Sequence, residues 1–167
     1  MPPLDFRGWV DVVVYRGAEM VPVRRFRVDN LVTNYGMARF LDLLVGNSSS
    51  YPNYIAVGDG TTAAAYADVA LGNSVARVPI VTHVETTDVD GDGVDEGGGA
   101  SGHALLLKTF ISRNTGNSVG TYKEIGVFVG AAGNTCCARV VLSAANYITK
   151  DASTSITMTW HFTLTAA

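Results

Sequence analysis

Charge is the scarcest ingredient of this sequence. Asp, Glu, Lys and Arg make up 16% of its 167 residues while hydrophobic residues reach 47%, against a charged share of roughly 25% in an ordinary soluble domain. Part of the surface is therefore expected to be covered by partners. The net charge is -3 and the one basic cluster is Arg24, Arg25 and Arg27. Nucleic-acid binding relies on a clustered basic face that neutralises phosphates. Here the three arginines fall in an alternating strand pattern and read as a solvated hairpin face, so no nucleic-acid partner is expected.

Long apolar runs are missing too. No stretch approaches the roughly 18 consecutive apolar residues that span a bilayer, and Met1-Pro2-Pro3-Leu4-Asp5 lacks a basic region followed by an apolar one. Neither a membrane partner nor secretion by the chain's own signal is expected. The 2 cysteines, Cys136 and Cys137, are adjacent, and adjacent strand side chains point to opposite faces, where a bridge would be strained. One is expected in the core and one outward, with neither in a metal or redox spacing.

Catalytic signatures are equally sparse. The 3 histidines, His83, His103 and His161, show no H-E-x-x-H spacing, and no paired C-x-x-C accompanies them. A hairpin between the strands on either side of 88–102 would let His83 and His103 approach each other. There is no G-x-S-x-G elbow and no P-loop, and Gly58-Asp59-Gly60 continues as Thr61-Thr62-Ala63 without the third glycine of a dinucleotide fingerprint. The expectation is a protein that is not an enzyme.

What the sequence does contain is strand pattern. Phe6 to Tyr15 and Met20 to Val28 are β-branched and aromatic runs around the turn Arg16-Gly17-Ala18-Glu19, a hairpin signature. Pro22 cannot donate to a ladder, which puts the second run on an edge or makes it begin there. Further strands are expected over Tyr54 to Val57, Val75 to Thr87, Leu105 to Ser112, Tyr122 to Val129 and Cys136 to Leu142. The last run places Ile156, Met158, Trp160, Phe162 and Leu164 on one face and Ser155, Thr157, Thr159, His161 and Thr163 on the other. That is a strand with one buried face; its hydroxyl-rich side is either solvated or paired with another subunit.

The period changes once. Met37, Phe40, Leu41 and Leu44 recur at i, i+3, i+4 and i+7, which predicts a helix over about 34–45 buried along that stripe. Thr33 or Asn34 can cap its start, and Gly46 supplies a left-handed stop. The fold class is mainly β: an antiparallel β-sandwich or barrel with one short helix and an N-terminal β-hairpin. Residues 1–29 read as a hairpin extension and 30–167 as the assembly domain, a length that fits one core.

The most specific chemical pattern is Asp88-Val89-Asp90-Gly91-Asp92-Gly93-Val94-Asp95-Glu96. Calcium needs several oxygens converging on one point. Carboxylates of Asp88, Asp90 and Asp92, the Val94 carbonyl and Asp95 or Glu96 can supply them around a turn at Gly93. Gly99 stands where a full EF-hand has its bidentate glutamate, and the flanks are strand-like. The alternative is a solvated acidic loop without metal.

Three phrases in order resemble a known family. Asn30-Leu31-Val32-Thr33-Asn34-Tyr35-Gly36 leads into the helix. Tyr54-Ile55-Ala56-Val57-Gly58-Asp59-Gly60-Thr61-Thr62 ends a strand and is followed by Ala70-Leu71-Gly72-Asn73. Lys123-Glu124-Ile125-Gly126-Val127-Phe128 comes later. Together they resemble small tailed-bacteriophage virion proteins, above all tail-fibre and tail-collar N-terminal modules. The match spans about residues 30 to 164 and leaves out the hairpin, residues 5 to 28.

The resemblance implies a virion structural protein made in the host cytoplasm and incorporated at the tail or capsid surface. It would act by self-assembly, as a homotrimer, and by docking on other virion proteins. A capsid decoration (cement) protein is the alternative, motivated by the short length and the unmatched hairpin. A carbohydrate-binding module with Trp9, Tyr51, Tyr54 or Tyr66 as a stacking platform ranks third.

Local roles follow without the family. Gly58 and Gly60 permit positive φ in a tight turn, and Gly126 inside a strand suggests a bulge or the close approach of another backbone. Lys123 and Glu124 are expected as solvated strand-end charges, with a buried ion pair at a subunit boundary as the other reading.

Overall fold

The two N-terminal β-branched runs form a hairpin, and in the computed structural model they are strands β1 (Leu4–Arg16) and β2 (Val21–Asp29). Gly17 turns the chain between them at φ 74, a left-handed value that is open to glycine without a steric penalty. The structure describes residues 4–47, 50–86, 103–118 and 120–166. After the hairpin come β3 (Leu31–Val32), α1 (Asn34–Leu44), β4 (Tyr54–Gly58), β5 (Ser74–Pro79), β6 (Thr82–Thr86) and β7 (His103–Ile111). Then follow β8 (Thr121–Tyr122), β9 (Glu124–Phe128), β10 (Cys136–Val141), a single 3-10 turn (Ala144–Asn146), β11 (Ile148–Thr149) and β12 (Thr154–Ala166).

The strands build two five-stranded sheets, ordered β2-β1-β12-β7-β6 and β3-β10-β9-β4-β5, with a small β11-β8 ribbon beside them. Neighbouring strands are antiparallel throughout. Val10, Val12, Ile156, Met158 and Trp160 of the first sheet share one core with Ile55, Val57, Ile125 and Val127 of the second. Each such side chain contributes roughly 1.5–3 kcal/mol when fully withdrawn from water. The expected mainly β sandwich with one short α-helix is the architecture found. Both sheets stay open, so it is not a barrel.

β1 pairs with β12 from Leu4 opposite Ala166 to Arg16 opposite Thr154. The hairpin is thereby built into the first sheet, with β1 second from one edge and β2 at that edge, where Pro22 was expected. The run from Val75 to Thr87 departs from expectation, since it divides between the two sheets. Pro79 ends β5, Ile80 N–H donates to Asn53 of the second sheet's border at 2.9 Å, and Val81 N–H donates to Lys108 of the first at 2.8 Å. One apolar run thus serves two ladders, which a two-residue period cannot reveal.

Helix α1 begins where the capping reading put it, with Thr33 Oγ1 accepting from Gly36 N–H at 3.0 Å. It ends before Gly46 at φ 73. The predicted buried stripe needs correction. Phe40 packs on the core, but Met37 and Leu41 are 41% and 58% exposed. The helix is rolled so that Gly36 faces inward, against the Cys137 carbonyl, where a Cβ would overlap the backbone. Close approach at a glycine overrides the stripe that spacing alone selects.

Candidate functional site

Glu124 opens β9 on the outer face of the second sheet, where a carboxylate would ordinarily be solvated. Its exposure is 0%. The chain from 59 to 73, between β4 and β5, folds back over it and supplies donors. Oε1 accepts from Gly60 N–H at 2.9 Å and Asn73 N–H at 2.8 Å, and Oε2 accepts from Gly72 N–H at 3.0 Å. Arg139 of β10 adds Nε at 3.0 Å and Nη2 at 2.8 Å to the same Oε2. Solvated strand-end charge is therefore the wrong reading for Glu124. The buried pair it makes is with Arg139 of its own chain.

Arg139 ties the rest of the loop down. Its Nη1 donates to Asp68 Oδ2 at 2.7 Å and its Nη2 to the Thr62 carbonyl at 2.9 Å. Burial works against the cation, but the Asp68 and Glu124 carboxylates overcome it and raise its pKa further. Burial pushes Asp68 up, yet the Ala65 N–H and the Arg139 guanidinium hold it below the ordinary carboxylate value. With five donors on its two oxygens, Glu124 is a structural centre and has no free acceptor to offer a substrate.

The glycines around this centre have a different purpose from the one expected. Among the described glycines, positive φ occurs at Gly17, Gly46, Gly116, Gly120, Gly130 and Gly133, not at Gly58 or Gly60. A Cβ on Gly58 would strike the Asn73 carbonyl, and one on Gly60 would strike the Glu124 carboxylate. Glycine is needed there for closeness. Gly126 makes room for the Leu71 side chain and the Ala138 carbonyl, and the irregularity in pairing lies on β10, between Cys136 and Ala138.

That irregularity places Cys137 and Ala138 together in the main core and Cys136 beneath the loop with Ala56, Leu71 and Phe128. The cysteines do diverge, but the outward one is covered, so both are buried. Burial pushes each thiol up to about 12.

The remaining candidates are dispersed. The acidic run Asp88, Asp90, Asp92, Val94, Asp95 and Glu96 lies outside the described residues. β6 and β7 do form a hairpin, but His83 sits opposite Leu107, four residues from His103, so the two histidines are not cross-strand partners. His83 Nε2 instead meets the Pro52 carbonyl at 3.0 Å. Among the described residues no three His, Cys, Asp or Glu side chains gather as a metal ion would need.

His161 lies on the outer face of the first sheet, with Nε2 3.0 Å from Asp11 Oδ2 and its ring stacked on Trp9 at 4.6 Å. Arg27 pairs with the same Asp11 at 2.9 Å and lies over the Trp9 ring at 4.9 Å. Arg24 points away from Arg27 and binds the carbonyls of Ala145 and Tyr147 beside β11. Arg24 is thus separated from Arg25 and Arg27, which alternate onto the other, exposed face of β2. The aromatics do not converge: Trp9 is engaged by His161 and Arg27, Tyr54 belongs to the second sheet, and Tyr51 and Tyr66 are exposed at 52% and 65%.

Sequence reasoning missed Arg139, Asp68 and Lys150. Lys150 is 1% exposed, and its Nζ donates to the Arg113 carbonyl at 3.0 Å, Asn117 Oδ1 at 2.5 Å and the Asp151 carbonyl at 3.0 Å. Burial pulls its pKa down. Arg139 carried a usable signal, because a charge inside the apolar run Cys136 to Val141 has to find a buried partner.

No family model, curated protein or solved structure matches this chain.

Proposed function

We propose that this chain is a non-enzymatic structural component of a tailed-phage virion, acting in the tail, baseplate or fibre attachment by self-assembly and docking. One observation carries the reading. The phrases that resemble phage tail modules are far apart in sequence yet meet in one framework. Thr33 to Gly36 seats α1 on β10, with Thr33 Oγ1 donating to the Cys136 carbonyl at 2.6 Å. Gly58 to Gly60 and Leu71 to Asn73 wrap Glu124, and Gly126 of the same strand receives Leu71.

The first phrase also reaches the loop that wraps Glu124, through the Asn34 N–H on the Tyr66 carbonyl at 2.8 Å. These phrases encode a loop stapled across a sheet, a rigid surface of the kind on which a particle can be built. The sparse charge of the chain, 16%, favours a protein whose surface is partly covered in its working state.

Gold-labelled antibody against this chain, imaged on intact particles, tests the proposal. Label confined to the tail is the expected result. Label on the head would replace it with the capsid-decoration reading, and unlabelled particles that also lack the chain by mass spectrometry would end the virion reading.

A further inference from the structure

Strand β10 is longer than its partner on one side. β3 covers it only where Leu31 faces Arg139 and Val32 faces Ala138, yet β10 runs on to Val141. The Leu142 N–H donates to the Lys123 carbonyl at 2.8 Å, on the β9 side. Backbone groups alternate in direction along a strand, so the N–H and C=O of Val141 point the other way. On that side the chain has already departed. Asp29 is paired with Trp9 of the first sheet, and the Asn30 N–H is bound to the Gly8 carbonyl at 3.0 Å. Among the described residues no strand stands opposite Val141.

The gap is a groove of about 480 Å³, a volume in the range of ligand sites. Val140 and Val141 line it along β10, Asp29 and Asn30 line it where the chain crosses between the sheets, and Thr61 and Ala63 line it from the loop. The loop side is held by the staple described above, since Arg139 binds the Thr62 carbonyl as well as Glu124. The groove therefore keeps its width without an occupant.

A second observation points to what the occupant is. Both amide atoms of Asn30, Nδ2 and Oδ1, are buried without a partner, which is unfavourable until one is supplied. They lie against Gly8, and turning the side chain brings them into the groove that Asn30 lines. Val141 and Asn30 then each offer one donor and one acceptor. A peptide unit carries one of each in return, and an extended segment laid beside a strand presents them at the matching spacing. Asp29, exposed at the rim, favours a basic side chain on that segment.

We propose that this groove receives an extended peptide segment of a partner protein, which adds as a strand to β10 at Val141, beyond the end of β3. The inference deepens the docking part of the function proposed above and rests on that reading for its purpose.

Panning a random heptapeptide library against the full chain, with the enriched peptides then synthesised and titrated, tests it. Peptides carrying Lys or Arg should enrich, and their binding should slow hydrogen exchange at the Val141 amide. Val141→Pro removes that donor and spares the β9 ladder, which does not use it. It should weaken binding by roughly 3- to 10-fold, the share of one hydrogen bond. Ala63→Trp, at an exposed loop position, should fill the groove and abolish binding. Asn30→Leu should weaken binding yet leave the melting temperature unchanged or higher, because the amide bonds nothing in the free chain. An asparagine with a merely structural role would lower it.

A library from which nothing enriches overturns the proposal. So do peptides that bind the Ala63→Trp chain as well as wild type, or that leave exchange at Val141 unchanged; these two readouts decide the matter should Val141→Pro unfold. A groove filled by another copy of the chain would appear as an oligomer that Ala63→Trp dissociates, which would also overturn it. The assay needs no particles. Labelled virions with a groove that takes no peptide would sink this inference alone, and a peptide-binding chain absent from virions would sink the virion reading alone.

Discussion

Glu124→Gln keeps the shape of the side chain and removes its charge, so its cost can be worked out donor by donor. Oε1 holds two backbone N–H groups, and Oε2 holds one plus two guanidinium N–H groups. A glutamine amide has a single acceptor oxygen. If that oxygen stays with Arg139, the amide NH2 meets Gly60 and Asn73 donor to donor. If it turns round, the NH2 meets Gly72 and Arg139 instead.

Hydrogen bonds to a charged group contribute roughly 1.5–3 kcal/mol each, and orphaning one partner of a buried ion pair costs about 3–5 kcal/mol. Arg139 keeps Asp68 and the Thr62 carbonyl, which points to the lower end, about 3–4 kcal/mol. At about 2–4 °C per kcal/mol for a chain of this size, the melting temperature should fall by roughly 6–16 °C. Urea unfolding and thermal melts followed by circular dichroism would measure it. The double variant Glu124→Gln, Arg139→Met should lose less than the sum of the two single variants, because neither charge is then left alone. A loss under about 1 kcal/mol, or strict additivity, would refute the staple.

Gly36→Ala gains about 1 kcal/mol of helix propensity but sets a Cβ into the Cys137 carbonyl. A net loss of roughly 2 kcal/mol is expected from overpacking, and a stabilised variant would contradict the seating of α1. Both thiols, pushed up to about 12 by burial, should ignore a disulfide reagent in the native protein and react together in denaturant. Fast native labelling would mean that the loop over Cys136 opens readily.

Burial raises the Asp11 pKa, but hydrogen bonds from His161 and Arg27 outweigh it and hold the group at about 2 against an ordinary 3.8. Its folded value is lowered, so its contribution is complete above 3.8 and fades as pH falls toward 2. The melting temperature of Asp11→Asn should vary less than wild type across that window, and parallel curves would remove the assignment. If the acidic run from Asp88 to Glu96 binds calcium, the metal should stabilise the chain by about 2.7 kcal/mol at a hundred times its dissociation constant. A melting temperature indifferent to calcium and chelator would leave that run as plain acidic loop.

Much of the framework was legible because strands announce themselves locally. The alternation from Ile156 to Phe162 correctly sends Ile156, Met158, Trp160 and Phe162 to the core. The opposite face is not the wet or subunit-paired one expected, since Ser155, His161 and Thr163 are buried within the chain as well. The helix start at Thr33 and stop at Gly46 were readable too, since caps are local chemistry. What stayed hidden was set by partners distant in sequence. The roll of α1 depends on a carbonyl at Cys137, and the burial of Glu124 depends on a loop some fifty residues away together with Arg139. The glycines at 58 and 60 were noticed but assigned to turn geometry. Glycine serves positive φ and close approach equally well, and only the position of Glu124 distinguishes them.

The ladder between β1 and β12 sets the timetable of folding. Leu4 lies opposite Ala166, so the central seam of the first sheet joins strands that leave the ribosome far apart in time. Until β12 emerges, the apolar row Val10, Val12 and Val14 has no neighbour on that side, and the β1–β2 hairpin must wait with an open edge. Closing so long a loop before its contacts form makes for slow folding, and the waiting edge is a site for association with the wrong strand. Pro22 and the arginines of β2 guard the hairpin's other border, which makes the seam itself the exposed side during synthesis. A chain that succeeds would lock late and all at once, with the last strand acting as the keystone of the first sheet.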